Sequence, residues 1–550
     1  MSLRPEPIGS VPEETARIAH AVFRRGNVYL KMRDELGTLY EDTAFASLFP
    51  RLGQPAEAPW RLALVTVLQF AESLSDREAA DAVRSRIDWK YLLGLELEDP
   101  GFDYSILSEF RARLIAGRAE RVLLDSLLER VQALGLLKRR GRQRTDSTHV
   151  LAAVRVLNRL ERVGETLRAA LNALAVVAPD WLRAQAPPDW YHHYSHRVEN
   201  YELPKTEAAR RQLAASIGAD GQRLLRAIDA SEHKWLHEVP AVQVLRQVWA
   251  EQYVTDTDTD ELRWRDVKEM PPPADMIASP YDPEARYSTK RELAWVGYKV
   301  HLTETCDSDM PHLLTNVETT PATTPDDNML AVVHASLATR DRLPDEHLVD
   351  KGYTDAHVLV DSQREYGVRI IGPVAEDPSW QAQSGAGFAK ADFLIDWETQ
   401  TATCPTGKRS LSWLVNPDAT KPETTVVRFS RRDCSPCPAR AQCTRRQVEP
   451  RELVLQPRVE HEALRTARRH QHTTAFRVQY AARAGIESAH AQAVRRSGLR
   501  QARYIGLART HLQHIATAAA INIIRLGEWW AGTPPGTTRR SHFADLQLAA

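Results

Sequence analysis

Apolar residues in the first half of the chain recur three or four positions apart, which is the period of an amphipathic helix. This spacing runs through residues 20–135, where Ser75 and Glu78 also form a capping-box pattern that predicts the start of a helix. It returns over residues 155–250. The pattern therefore predicts two long, mainly helical regions.

The sequence pattern then changes to short apolar runs separated by turn residues. The segments that indicate strands are 145–150, 294–305, 313–319, 347–350 and 368–371. Helical segments at 329–339 and 356–366 lie between the later strands. This alternation predicts a mixed α/β sheet with helices.

The remaining segments are less regular. Residues 255–283 are polar and rich in proline, which favours a loop, and residues 376–470 hold four of the five cysteines. Residues 474–530 are helical in pattern, and Gly527 is expected to end that last helix.

Charge is balanced overall but unevenly distributed. The chain has 550 residues with 72 Lys+Arg against 72 Asp+Glu, yet residues 451–510 hold twelve Arg and only four Glu. A basic surface of this kind can bind DNA phosphates, although solvated helix faces have the same composition. The residues expected to contact DNA are Lys138, Arg139, Arg140, Arg142, Arg144, Arg495, Arg496, Arg500 and Arg503.

Composition also excludes some classes of protein. An apolar fraction of 43% and a charged fraction of 26% are typical of a globular chain rather than a disordered one. No apolar run has the roughly 20 residues that a membrane span needs, and the first residues lack the apolar block of a signal peptide. Five cysteines in a chain of this length do not make a disulfide framework. We therefore expect a protein of a reducing cytoplasm.

Three acidic residues are candidates for chemistry. Asp146 and Asp350 lie in or at the end of predicted strands, where a carboxylate can reach a site at the edge of the sheet. Glu487 falls on the same helical stripe as Tyr480 and Arg483, and this stripe also carries apolar residues, so Glu487 is expected to face inward. Each aspartate could instead be a solvated loop acid, and Arg483 could simply pair with Glu487. If the three meet, they suit two Mg²⁺ ions that promote phosphoryl transfer.

The motifs around these acids resemble those of bacterial insertion-sequence DDE transposases, which belong to the RNase H-like, retroviral-integrase superfamily. Thr145-Asp146-Ser147-Thr148 resembles the first motif, and Asp350-Lys351-Gly352-Tyr353 resembles the second. Tyr480, Arg483 and Glu487 match the third, Y-x₂-R-x₃-E-x₆-K, except that Val494 stands at the lysine position with Arg495 and Arg496 after it.

The resemblance implies a fold and an activity. The fold would be an RNase H-like core with a mixed five-stranded sheet, plus an N-terminal all-α domain, a helical insertion and a Cys-rich insertion. Asp146, Asp350 and Glu487 would hold two Mg²⁺ or Mn²⁺ ions, with Tyr480, Arg483, Gly352 and Tyr353 as auxiliary residues. The reaction would be cleavage at transposon ends and strand transfer into target DNA. A related nuclease without strand transfer, or a domesticated DNA-binding protein with an inactive site, are the alternatives.

The same resemblance suggests four regions. Residues 1–135 would bind the terminal inverted repeats, and residues 136–375 would form the first part of the core, interrupted by a helical insertion at about 155–290. Residues 376–470 would be the Cys-rich insertion, and residues 471–550 the second part of the core with a tail. Because both transposon ends must be held, a homodimer or larger assembly on DNA is expected.

The cysteines suggest a second metal. Cys404, Cys434, Cys437 and Cys443 have the spacing C-x₂₉-C-x₂-C-x₅-C. A Cys-x₂-Cys pair with two further cysteines nearby is a ligand set for structural Zn²⁺. The alternative is four buried free thiols.

Overall fold

The computed structural model describes residues 1–255, 262–290, 292–385, 387–416 and 423–533. The C-terminal tail predicted beyond residue 533 lies outside the described residues, as do residues 256–261 of the proline-rich loop.

The N-terminal region is helical, as the apolar spacing predicts. Its helices are α1 (Glu13–Val22), α2 (Val28–Leu36), α3 (Pro59–Glu72), α4 (Asp76–Ser85), α5 (Ile87–Leu93), α6 (Ser105–Ala116) and α7 (Val122–Ala133). The capping box is present at the start of α4, where Ser75 and Glu78 each bond the other's backbone N–H. Helix α3 is buried on almost all sides, because it packs between the other helices and the C-terminal helix.

The first strand and a helical insertion follow. Strand β1 (Arg140–Leu151) is longer than predicted and includes most of the basic run. The insertion contains α8 (Arg159–Val177), α9 (Pro179–Gln185), α10 (Pro188–His193), α11 (Glu207–Ala230) and α12 (Pro240–Gln252), and a hairpin of β2 (Tyr253–Thr255) and β3 (Leu262–Trp264). These elements enclose an apolar core of their own.

The central sheet is mixed, as predicted. Its other strands are β4 (Arg286–Lys290), β5 (Leu293–Thr305), β6 (Leu314–Pro321), β7 (Pro344–Val349) and β8 (Arg369–Ile371), with helices α13 (Met329–Ala338) and α14 (Ala356–Tyr366) between them. Strand β1 pairs antiparallel with β5 and parallel with β7, which pairs parallel with β8.

The sheet has six strands rather than the predicted five. Strand β5 is 13 residues long, so its outer edge pairs with β4 along its first residues and with β6 along the rest. The run β6-β5-β1-β7-β8, with two antiparallel steps and two parallel ones, is compatible with an RNase H-like core.

The cysteine-bearing segment is a small module of short elements. They are α15 (Trp380–Gln383), β9 (Leu394–Asp396), β10 (Thr401–Thr403), β11 (Ser410–Asn416), β12 (Thr424–Phe429), α16 (Arg431–Cys434), α17 (Arg440–Cys443) and β13 (Glu452–Leu455). A separate apolar cluster centred on Phe393, Phe429 and Leu455 holds the module together.

The chain ends in helices α18 (Arg458–His470), α19 (Thr474–Tyr480), α20 (Gly485–Ser497) and α21 (Leu507–Trp530). Helix α21 continues past Gly527 to Trp530, so the prediction that Gly527 ends it is wrong. A Cβ at Gly527 would lie 2.4 Å from Val28 Cγ2, so this glycine allows α21 to approach α2. Side chains of the N-terminal helices, the sheet, α20 and α21 form one continuous core.

Candidate active site

Asp146 lies in the middle of the sheet, on β1. Strand alternation points its neighbour Thr145 to the opposite face, where the Thr145 hydroxyl bonds Thr303 Oγ1 and His347 Nε2, each at 2.7 Å. Asp146 itself faces the C-terminal helices with only 13% of its side chain exposed. The fold thus places a nearly buried carboxylate on a central strand.

Asp350 follows the end of the neighbouring strand β7. Because Thr145 pairs in register with Val349, the next residue along β7 lies beside Asp146. Asp350 Oδ1 accepts a 2.9 Å hydrogen bond from Gly352 N, and a Cβ at Gly352 would come within 3.1 Å of that oxygen. The turn therefore holds Oδ1 of Asp350 in place, while Oδ2 lies 3.8 Å from Arg483 Nη2.

Tyr353 anchors the same turn from below. Its side chain is fully buried, and its hydroxyl lies 2.6 Å from His301 Nδ1 on β5. Gly352 thus contacts Asp350 directly, whereas the Tyr353 side chain is buried against His301 and supports the turn.

The structure corrects the prediction that Glu487 faces inward: 70% of its side chain is exposed. The predicted single helix is broken by a 3₁₀ turn at Ala481–Ala484, which changes the rotational phase before α20 begins. The buried face of α20 consists of Ile486, Ala489, His490 and Ala493 instead. Tyr480 is half-buried and stacks on Phe476 with ring centroids 5.3 Å apart.

All three acids lie close to the side chain of Arg483. Arg483 Nη2 lies 2.7 Å from Asp146 Oδ2 and 3.8 Å from Asp350 Oδ2, and its Nη1 lies 3.3 Å from Glu487 Oε1. Three carboxylates from distant parts of the sequence thus converge within the span of a single guanidinium group. Arg483 pairs with Glu487, as the simpler alternative had it, and with both aspartates as well.

The three clustered carboxylates make this site favourable for positively charged groups. Burial raises the pKa of Asp146 to about 6, although the Arg483 guanidinium and the Ser147 N–H lower it in part. Carboxylate oxygens are the donors that Mg²⁺ and Mn²⁺ prefer, so the donor set fits such ions. Across the described ranges, however, no three His, Cys, Asp or Glu side chains are already arranged as metal ligands. Here the guanidinium supplies the positive charge among the acids.

Arg144 was expected to contact DNA, and its burial contradicts this. Only 5% of its side chain is exposed, and its Nε donates a 2.6 Å bond to Glu304 Oε2 on the paired strand β5. Its other nitrogens reach the Ala482 carbonyl and His312 Nδ1. Arg144 therefore holds the 3₁₀ turn just before Arg483 against β1.

Several residues that support this arrangement carry no signal in the sequence pattern. Arg525 on α21 also pairs with Glu304, and its Nε donates a 2.9 Å bond to Gln492 on α20. Burial alone would raise the pKa of Glu304, but Arg525 and Arg144 together hold it below its usual range. A Cβ at Gly485 would lie 2.1 Å from Arg144 Nη1, so a larger residue there would displace the Arg144 guanidinium.

His490, also on α20, lies against β1. It is buried, its Nε2 has no hydrogen-bond partner within the described part of the chain, and burial lowers its pKa to about 4. The ring is therefore neutral at ordinary pH and packs α20 against the strand that carries Asp146.

The other residues predicted to contact DNA differ in whether they already form ion pairs or hydrogen bonds within the protein. Lys138, Arg139, Arg140 and Arg142 pair with Asp309, Asp341, Asp345 and Glu346, respectively. Arg503 bonds the Leu74 carbonyl and the Ser73 hydroxyl. Arg500 is exposed, and its Nε donates to Thr148 Oγ1 at 3.0 Å, two residues along β1 from Asp146.

Val494, at the family's lysine position, is half-buried and packs against the main core. Arg495 and Arg496 are both exposed, and Arg495 Nε bonds a carbonyl of its own helix. Arg500 thus contacts the first motif at Thr148, as Arg483 does at Asp146, whereas Arg495 bonds only a carbonyl of its own helix.

The four cysteines of the small module meet at one place. Cys404, Cys434, Cys437 and Cys443 line a cavity of about 30 Å³, and all are free thiols. Cys404 Sγ accepts a 3.3 Å hydrogen bond from Lys408 N. Burial raises the pKa of Cys443, and the other three cysteines lie close enough to raise it further. The thiols are neighbours, but their side chains are not arranged as ligands.

Comparison with known families bears on two segments of the chain. Residues 403–527 match the family described as Transposase DDE domain, and residues 21–113 match the one described as Transposase domain (DUF772). Both matches support an insertion-sequence DDE transposase. Glu487 lies inside the first matched segment, whereas Asp146 and Asp350 lie outside both. Members of this family generally use divalent metal ions, and DNA is the partner that the family implies.

No curated protein and no solved structure matches the chain. None of the helices within the described ranges is long and apolar enough to span a membrane.

Proposed function

We propose that this transposase cleaves DNA at transposon ends and joins the freed 3′ ends to target DNA, using Asp146, Asp350 and Glu487. The observation that carries the proposal is the convergence of these three carboxylates on Arg483. Acids from two strands and one helix have no structural need to meet at a single point. Their convergence supports a common chemical role.

The three acids would hold Mg²⁺ or Mn²⁺, two ions per site. Such ions activate the attacking oxygen and stabilise the leaving oxygen of a phosphoryl transfer. Arg483 and Tyr480 would orient Glu487 or a DNA phosphate, and the Gly352–Tyr353 turn would fix Asp350. Arg500, which bonds Thr148, would contact the phosphate that the lysine missing at Val494 would otherwise bind.

The partners would be the terminal inverted repeats and target DNA, in the bacterial cytoplasm at the nucleoid. The N-terminal helices would bind the repeats, since they match a transposase domain and lie against the catalytic sheet. A homodimer or larger assembly would hold both ends.

The decisive experiment combines the protein, DNA carrying the inverted repeats that flank its gene, a target plasmid and Mg²⁺. We expect cleaved ends and joined products, and we expect Asp146→Asn, Asp350→Asn or Glu487→Gln to abolish both. Asp180→Asn, at a highly exposed acid of the helical insertion, is the matched control and keeps full activity. Cleavage without joined product would indicate the related nuclease. Activity that survives loss of the acids would refute the proposed site.

We also propose that the four cysteines bind one structural Zn²⁺. Their convergence on one small cavity supports this, together with the N–H to sulfur bond at Cys404, because thiolates are the ligands of closed zinc sites. Elemental analysis of the purified chain should give one zinc per chain, and Co²⁺ substitution should give the absorption of a tetrahedral thiolate site. Cys434→Ser should lower the zinc content, whereas Cys306→Ser, at the buried cysteine of the main sheet, should not. A metal-free wild-type chain that remains folded would contradict the zinc site.

A further inference from the structure

A basic site, separate from the three acids, lies between the cysteine-bearing module and α18. It is a cleft of about 670 Å³, which we call the α18 cleft. Four basic residues line it: Lys390 from the module, and Arg465, Arg468 and Arg469 from α18. Helix α18 packs against α14 but has no fully buried residue, and Arg465 and Arg469 lie on its exposed side.

The positive charge of this cleft is only partly compensated. Arg465 and Arg469 are exposed, and neither forms an ion pair with any described carboxylate. Arg468 Nε donates to the Ala375 carbonyl, and Lys390 Nζ to the Val454 carbonyl, and neither contact neutralises the charge.

The acids of the cleft are already engaged. Glu376 accepts from His472 at 3.0 Å and also from Gln471, and Asp377 Oδ1 accepts from Ser379 N at 2.9 Å. These bonds do not cancel the carboxylate charges, so Glu376 and Asp377 offset part of the charge of the four basic residues. The cleft keeps a net positive charge that attracts an anion.

A hydrogen-bonded segment links the α18 cleft to the turn that follows Asp350. Thr354, which follows the second motif, donates a 2.6 Å bond to the Pro373 carbonyl, and Val374 N donates to Gln471 Oε1 at 2.9 Å. Glu376 and Asp377 of the cleft therefore follow, within a few residues, a segment that is bonded to the turn after Asp350 and to the end of α18. A polyanion that passes the three acids would run toward this cleft.

We propose that the α18 cleft binds the phosphate backbone of duplex DNA adjacent to the reacting strand. The inference rests on the proposed function, since it takes the ligand to be the DNA held at Asp146, Asp350 and Glu487. Arg465 and Arg469, four residues apart on one helical face, contact successive phosphates as point charges without reading sequence. Basic residues also favour the C-terminal turn of a helix through its dipole, and this is the competing explanation for their position.

The test measures DNA binding rather than catalysis. The full chain carrying Asp146→Asn, without divalent ions, is titrated with a fluorescent duplex of random sequence over a range of salt concentrations. Each phosphate contact contributes about 0.9 to the slope of log affinity against log salt. Arg465→Gln with Arg469→Gln should therefore lower the magnitude of that slope by about 1.8. Arg465→Lys with Arg469→Lys should keep most of it, because the contact depends on charge.

Arg458→Gln is the matched control. Arg458 lies on the same helix but already pairs with Glu398 at 2.6 Å and Glu462 at 3.1 Å, so its loss should leave the slope unchanged. If the Arg465 and Arg469 double variant keeps the wild-type slope while the wild-type chain still cleaves transposon ends, the cleft proposal alone is overturned. If the Asp146→Asn chain shows no salt-dependent DNA binding and the wild type does not cleave, both the cleft proposal and the proposed function are contradicted.

Discussion

Replacing Gly485 by alanine should destabilise the protein, although alanine is the better helix former. The backbone at Gly485 has φ −62° and ψ −21°, which any residue adopts, so conformation does not require glycine there. The requirement is space. A Cβ would lie 2.1 Å from Arg144 Nη1, 2.4 Å from Cζ and 2.5 Å from Nη2, so the guanidinium could not remain in place.

The expected change in the free energy of unfolding follows from the hydrogen bonds that Arg144 would lose. Alanine in place of glycine would by itself stabilise a helix by about 1 kcal/mol. Displacing the guanidinium breaks its bonds to Glu304 and to the Ala482 carbonyl, and a hydrogen bond to a charged group contributes about 1.5–3 kcal/mol. Glu304 keeps Arg525 as a partner, which limits the cost. We expect a net loss of about 2–4 kcal/mol in the free energy of unfolding.

Two assays test this. Urea-induced unfolding, followed by tryptophan fluorescence, should show a lower midpoint for Gly485→Ala. Ser488→Ala, at an exposed position of the same helix, should be neutral or slightly stabilising. Because the turn that Arg144 holds leads directly to Arg483, single-turnover cleavage should also fall, by about 100-fold for a shift near 1 Å.

A double-mutant cycle separates the steric cause from any other. In a chain that carries Arg144→Ala, the space beside Gly485 is empty, so Gly485→Ala should become neutral or stabilising. Destabilisation of the same size in both backgrounds would refute the role assigned to Arg144. A midpoint that rises for Gly485→Ala in the wild-type background would refute the steric argument itself.

Three further predictions concern stability. Glu304→Gln should lower the free energy of unfolding by about 3–5 kcal/mol, because two buried guanidinium groups lose their carboxylate; an unchanged urea midpoint would contradict this. Burial lowers the pKa of His301 to about 4 and that of His514 to about 3, so the folded state keeps both rings neutral while the unfolded chain protonates them below about 6.5. Stability should therefore be complete above about pH 6.5 and fall as the pH drops toward 4, by up to about 1.4 kcal/mol per pH unit for each ring. His301→Gln should reduce the pH dependence of the thermal unfolding midpoint, and an unaltered pH dependence would argue against this assignment. Gly527→Ala should cost about 1–3 kcal/mol by overpacking against Val28, and Val28→Ala in the same chain should restore the urea midpoint; failure to restore it would locate the strain elsewhere.

The sequence by itself determined most of the helices and strands and marked the three candidate acids. Helix α14 lies at the predicted residues 356–366, and the capping box of α4 formed as expected, because such features depend on neighbours a few positions away. The three acids could be found because each lies in a short motif of its own. Their spacing along the chain carried no information about the distances between them.

Only the tertiary structure decided how those residues are oriented and paired. Glu487 faces outward because the 3₁₀ turn at Ala481–Ala484 changes the phase of the helix, and helical periodicity assumes that no such break occurs. Arg144 looks like any other residue of a basic run, yet its partner Glu304 lies 160 residues away on the adjacent strand. An arginine has the same charge whether it is exposed or buried, so its role depends on which side chains the fold packs around it.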